Sequence, residues 1–230
     1  MSRSTVKIGC SLGFTGEEHV HADFQFKAME MAIGELAPHV NLEVSLVPVD
    51  DCASADGARR ATEDLIRDQD VVVVVGPMGS AAAVVAAPID GNTCFFRSIP
   101  NDGIHATALA GFILRHLQAI RIVLIDDGGS FSTGLNKLTF DTLLEVKNGC
   151  LQTRSFSIST YSDHELPDIC KEVSGFDPDC VLLTGMEPVC VRIAQGLRQS
   201  GVIAPFLGTD ALKPSRFLWT PGQYFMTKAI

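Results

Sequence analysis

With 230 residues, 46% of them hydrophobic and 20% charged, the sequence has more length than one ordinary domain needs and enough apolar material for a folded core, which excludes a disordered chain. Its formal charge of −9 repels phosphate backbones and anionic lipid head groups, and no local run of Lys or Arg offsets it, which excludes a nucleic-acid role. The longest apolar stretches, 71–75 and 81–87, are separated by Gly76, Pro77 and Gly79, and both fall well short of membrane-spanning length.

In chain order, residues 6–10 read as a short strand and 24–36 as a helix whose spacing puts Phe24, Ala28, Met31 and Ala32 on one face. A strand over 44–49 and a helix through Ala58, Ala61, Leu65 and Ile66 follow. The unbroken run Val71-Val72-Val73-Val74-Val75 then predicts a strand buried on both faces, as in a parallel sheet covered by helices. A helix is expected over 80–89. After Pro100 the rhythm restarts, with helices over 102–117, 135–146, 165–173 and 189–199 alternating with strands over 120–125, 153–157, 180–184 and 206–208.

That alternation predicts an α/β fold of two Rossmann-like, doubly wound parallel-sheet lobes joined by a hinge. The expected boundaries are lobe 1 over 1–98, lobe 2 over 99–208, and a hinge crossing with a partial return segment over 209–230. In such folds ligands bind beyond the carboxyl ends of the strands, so a cleft between the lobes is the expected site.

The sharpest local signal is Gly76-Pro77-Met78-Gly79-Ser80-Ala81-Ala82-Ala83 after the valine strand. Ser80 reads as an N-cap, and the free amides of the following turn suit a carboxylate; equally, Ser80 reads as a cap for its own helix and nothing more. Asp210, just past a predicted strand, is placed to hold an ammonium group or to cap a turn. Two further strand-end loops, Asp126 to Ser132 and Gly185 to Pro188, bring in Phe131, Met186 and Glu187. His19 and His21 form an HxH pair, but no third His or Cys lies at matching spacing and no metal is expected. The seven cysteines show no CxxC spacing and are read mostly as small buried hydrophobes. With no phosphate-loop or GxGxxG fingerprint, no GxSxG and no HExxH, the reading has no cofactor, no catalytic residue and no enzymatic activity.

Together these residues resemble the type I periplasmic binding proteins, in particular the leucine/isoleucine/valine-binding branch, which also includes binders of amides, urea and aromatic acids. The matching pieces are Val6-Lys7-Ile8-Gly9 with Phe14-Thr15-Gly16, Asp50-Asp51-Cys52, Val75-Gly76-Pro77 with Ser80, Phe96-Arg97 with Pro100 and Asp102, Asp126-Asp127, and Phe206-Leu207-Gly208-Thr209-Asp210. The resemblance implies a small-molecule ligand, an amino acid or a related carboxylate or amide, gripped by Gly79, Ser80, Ala81 and Ala82, with Asp210 at the place of the acid that meets the α-ammonium. Phe14, Phe131, Met186 and Glu187 complete the implied site. It also implies ABC transporter membrane subunits as partners, a periplasmic or extracellular location without insertion into the membrane, and capture by hinge closure. A ligand-sensing domain of a regulator or receptor is the alternative reading, and a doubly wound enzyme a third.

Four departures accompany the resemblance. Phe131 stands where many members have tyrosine, and Gly79 where the branched-chain binders often have a cysteine bridged to the one at Cys52. Neither a strand nor a ligand loop fits between Ile89–Asn92 and Thr93–Arg97, and twenty residues follow Asp210, too few for the usual return to lobe 1. Segments omitted near 92/93 and 219–223 are therefore expected.

Overall fold

The computed structural model describes residues 4–15, 19–40, 42–68, 70–87, 100–147, 150–158 and 164–212. The expected joins near 92/93 and 219–223 lie outside the described residues. The chain divides into two compact units, Met1–Phe96 and Arg97–Ile230.

The first unit contains β1 (Ser4–Leu12), α1 (His19–Leu36), β2 (Leu42–Asp50), α2 (Ala55–Arg67), β3 (Val71–Val75) and α3 (Ser80–Ala86). Its three strands are parallel in the order β2-β1-β3, with Ile8 opposite both Leu46 and Val73. β1 is central because the β2-to-β3 connection crosses over it; with right-handed crossovers running in opposite directions, α1 and α2 fall on opposite faces. Ser54 starts α2 by accepting the Gly57 amide at 3.1 Å, and Ala58, Ala61 and Leu65 form its buried stripe.

Two expectations fail in this unit. The valine strand is not buried on both faces: Val72 is 65% exposed and Val73 49%, because β3 pairs with β1 alone among the described strands. In α1 the face expected to be apolar and inward is turned out, with Phe24 69% and Met31 67% exposed and Ala28 and Ala32 also exposed. The helix packs instead through Ala22, Phe26 and Met29 against Cys10 and Leu12.

The second unit contains α4 (Asp102–Arg115), β4 (Arg121–Asp126), α5 (Ser130–Lys147), β5 (Gln152–Ser157), α6 (Leu166–Phe176), β6 (Cys180–Thr184), α7 (Glu187–Gln199) and β7 (Phe206–Gly208). The sheet is again wholly parallel, in the order β5-β4-β6-β7. Here the central strands are sealed on both sides. Ile122, Leu124, Cys180 and Leu182 pack against Ala106, Leu109 and Ile113 of α4 and Leu135 and Leu143 of α5. Val123, Ile125, Val181 and Leu183 pack on the other face against Cys170, Val173, Ile193 and Leu197 of α6 and α7. The α5 helix starts five residues before its expected start, so Phe131 belongs to its first turn and not to a loop. α7 likewise begins at Glu187, with Met186 as its cap residue.

At the amino ends of these strands, Asp179 accepts the Ile120 and Arg121 amides at 2.9 and 2.8 Å and pairs with the Arg121 guanidinium at 3.1 Å. The two amides, and after them the guanidinium, hold its carboxyl below its ordinary range. Of the cysteines, Cys10, Cys170, Cys180 and Cys190 are buried as expected, while Cys52 and Cys150 are exposed. Burial first, and the charge of Asp179 second, push the Cys180 thiol up to about 12.

Leu182→Ala, in the sealed core, should cost about 2–5 kcal/mol in urea unfolding, whereas Val73→Ala on the open strand should cost less than about 1 kcal/mol. Equal costs would contradict the different burial of the two strands. Because the folded pKa of Asp179 is lowered, its contribution is present above about pH 4, the ordinary carboxyl range, and is lost as pH falls through the folded value. Asp179→Ala should cost about 1 kcal/mol at pH 7, allowing for solvent screening, and should flatten the acid limb of the stability profile. Thermal unfolding between pH 2 and 7 checks this.

Candidate functional site

In a parallel sheet every strand points the same way, so the loops that follow the strands collect along one edge. Within the first unit these loops come from Gly13 to Thr15, Asp51 to Ser54 and Gly76 to Gly79. The point where successive connections leave in opposite directions lies between β1 and β3, the general ligand position of open α/β sheets.

Paired aspartates at the end of β2 fix this edge. Asp51, buried, accepts the Ser11 hydroxyl at 3.0 Å and the Ala53 amide at 2.9 Å, tying β1 to the loop after β2. Asp50 accepts the Thr15 hydroxyl at 2.7 Å and the Cys52 amide at 2.9 Å. The Thr15 hydroxyl, with smaller help from the neighbouring amides, keeps the Asp50 carboxyl below its usual range. After β3, Gly76 has φ +106° and its α-carbon sits so close to the Ser11 carbonyl oxygen that a Cβ would overlap it. Only glycine fits that close approach, which brings the chain across the crevice toward α3.

The cap of α3 is Gly79 and not Ser80: no side chain caps the helix, and its first internal bond runs from the Ala83 amide to the Gly79 carbonyl at 2.8 Å. Ser80 is the first helical residue, so its hydroxyl is not spent on capping. By helix geometry the amides of Ser80, Ala81 and Ala82 have no partner in their own helix and point from the start of α3. Ala82 is buried, Ser80 half-buried and Ala81 exposed. Phe14, half-buried, meets Phe26 of α1 edge to face with ring centres 5.7 Å apart, so part of its ring is spent on packing.

Within the second unit the corresponding crevice lies between β4 and β6, where α5 leaves to one face and α7 to the other. Asp127 spans it: its carboxylate accepts the Gly129 amide at 3.0 Å, the Met186 amide at 2.7 Å and, through a short bond, the Ser132 hydroxyl. Gly185, at φ +145°, leaves the space the Asp127 carboxyl fills; a Cβ there would collide with it. Beneath, Asn136 donates to Asp126 at 3.1 Å and accepts the Thr184 hydroxyl at 2.7 Å, joining α5 to both central strands.

Of the residues expected in the site, Met186 is 46% exposed at the cap of α7, and Glu187 occupies the first turn beside it, where an acid suits the helix dipole. Phe131 is half-buried and packs against the core on the α4–α5 face. Asp210 opens a single 3-10 turn after β7; the preceding Thr209 is 6% exposed, with no hydrogen-bond partner recorded for its hydroxyl among the described residues. The structure thus places Phe14, Gly79, Ser80, Ala81 and Ala82 at the strand-tip edge of the first unit. Phe131, Met186, Glu187 and Asp210 lie at that of the second. Asp127 was not singled out for binding in the sequence, although a doubled Asp at a strand end followed by Gly128-Gly129 carries the signal for an acid that folds back on its own loop. His19 and His21 are exposed on α1. No described helix is long and apolar enough to cross a membrane.

No family model matches the sequence, and no curated protein matches it. Solved structures do. The chain is similar to a leucine-binding protein from Thermotoga maritima, with 22% identity and a TM-score of 0.78, covering 93% of this chain and 65% of that one. It is similar to a branched-chain amino acid transporter substrate-binding protein from Streptococcus pneumoniae in complex with isoleucine, with 19% identity and a TM-score of 0.77 over 94% of this chain and 67% of the other. A solute-binding protein of an ABC transporter from R. palustris in complex with benzoate shares 17% identity and a TM-score of 0.73, over 91% and 63% of the two chains. The chain spans about two thirds of the length of these proteins. Its doubly wound parallel units therefore carry the fold of the type I periplasmic binding proteins.

Proposed function

We propose that this chain is the capturing part of an extracytoplasmic ABC-type uptake system, periplasmic or extracellular, which binds an amino acid or a related small carboxylate or amide and releases it unaltered to membrane subunits. The observation that carries this reading is the likeness of nearly the whole chain to substrate-binding proteins, one of them holding isoleucine and another benzoate. What these two ligands share is a carboxylate on an apolar body, and the strand-tip edge of the first unit offers the matching amides at Ser80, Ala81 and Ala82 beside Gly79. In this reading Asp210 and Glu187 meet an ammonium group. Phe14, Phe131 and Met186 meet the apolar remainder, and binding draws the two units together by hinge motion.

The loops support capture rather than turnover. Asp127, which spans the crevice of the second unit, and Asp126 beneath it are both committed to amides and hydroxyls of their own unit.

A thermal-shift screen of leucine, isoleucine, benzoate and small amides should raise the melting temperature for at least one of them, and the ligand should be recovered chemically unchanged. Ser80→Ala and Asp210→Ala should each weaken that ligand by about 1.5–3 kcal/mol, ten- to a hundredfold, in calorimetric titration. Unchanged affinity in both variants would remove the site assignment, and conversion of the compound would remove the binding reading itself.

A further inference from the structure

A second recess lies away from the crevice between β4 and β6. It runs beneath α5, along the outer strand β5, as a groove of about 320 Å³ lined among others by Asp126, Thr133, Lys137, Phe140, Ser155 and Ser157. Its origin is a change of side-chain size across the sheet. Where β4 and β6 present Ile122, Leu124, Cys180 and Leu182 to the α4–α5 layer, β5 presents Ser155 and Ser157, while Phe156, which also borders the groove, packs against the opposite core. Small hydroxyls under a helix leave the volume unfilled.

The groove gathers hydroxyls around one acid, with the Asn136 side-chain amide committed to that acid and Lys137 at the rim. Asp126 at its floor is 3% exposed and accepts from the Ser157 hydroxyl at 2.6 Å, the Thr133 hydroxyl at 3.2 Å, the Gly128 amide at 3.0 Å and the Asn136 side-chain amide at 3.1 Å. Each hydroxyl has one proton, and both protons point down to the carboxylate, so the lone pairs left facing the groove are acceptors. None of the ion pairs among the described residues involves Asp126. Lys137 stands at the rim, 76% exposed, with its charge engaged by Asp141 at 2.8 Å. Phe140 supplies an aromatic wall, half-buried against the core.

From this combination of a buried acid without a cation, outward acceptors and an aromatic wall, we propose that the groove binds a small organic cation, a primary ammonium or guanidinium on a short apolar stem. The donors of the cation meet the Ser157 and Thr133 oxygens, its charge is balanced by Asp126 beneath them, and its stem lies along Phe140. An anion is repelled by the same floor. A neutral apolar guest leaves the acceptors unsatisfied.

The test is a titration of the ¹⁵N-labelled chain with butylammonium, followed by NMR, with butyrate and 1-butanol in parallel. Saturable shifts at the amides of Thr133, Ser155 and Ser157, given by butylammonium alone, are expected. Ser155→Phe, which fills the groove from an exposed position, should abolish them, and Ser80→Ala, in the other unit, should leave them unchanged. Lys137→Gln, which removes the like charge at the rim, should tighten butylammonium about three- to tenfold. The proposal is overturned by the absence of saturation up to about 50 mM, by equal saturation with butanol or butyrate, or by undiminished binding in a folded Ser155→Phe chain. If circular dichroism shows that Ser155→Phe disturbs the sheet, Lys137→Gln decides: unchanged or weaker affinity overturns the proposal.

Discussion

The sealing of β4 and β6 on both faces is the constraint on which the second unit depends. A wholly parallel sheet needs both faces covered, and the helices that connect its strands supply the cover. Ile122 to Ile125 and Val181 to Leu183 meet that requirement with apolar side chains at every position, four helices supply the covering layers, and every following loop is thereby delivered to one edge. The location of the candidate residues follows from this arrangement and not from any feature of the loops themselves.

At its own strand-tip edge each unit solves the same geometric problem with different chemistry. In the first, Gly76 lets the backbone cross close to Ser11, and helix-start amides are presented after Gly79. In the second, Gly185 makes room for the Asp127 carboxylate, which satisfies the Met186 amide internally. The first crevice thus presents helix-start donors, whereas the acid of the second is spent on holding its own loops together. Asp126 extends the acidic character downward, beneath α5, where the hydroxyls of Thr133 and Ser157 carry it to the wall of a separate groove.

Much of this was legible in the sequence for a local reason. The alternation of apolar runs with helical periodicity is a property of neighbouring residues, so strands β3, β6 and β7 were placed at their observed ends, and most other elements within a few residues. The early starts of α5 and α7 were missed because Ser130-Phe131-Ser132 and Glu187-Pro188 carry cap and turn residues that suit a loop as well as a first helical turn. Phe131 consequently stands in a first helical turn, half-buried against the α4–α5 core, and not in a loop.

The sequence by itself determined the α/β class, the parallel strands and the set of strand-end loops, because each rests on short-range pattern and on the chirality of crossovers. Only the tertiary structure decided which apolar faces are covered. Val71 to Val75 read as a strand buried on both faces, yet β3 has one partner among the described strands, and the Phe24–Met31 face of α1 looks outward while Ala22 and Phe26 look in. Burial is a relation between elements far apart in the chain. A run of valines states that it can be buried; what lies against it is fixed by packing alone.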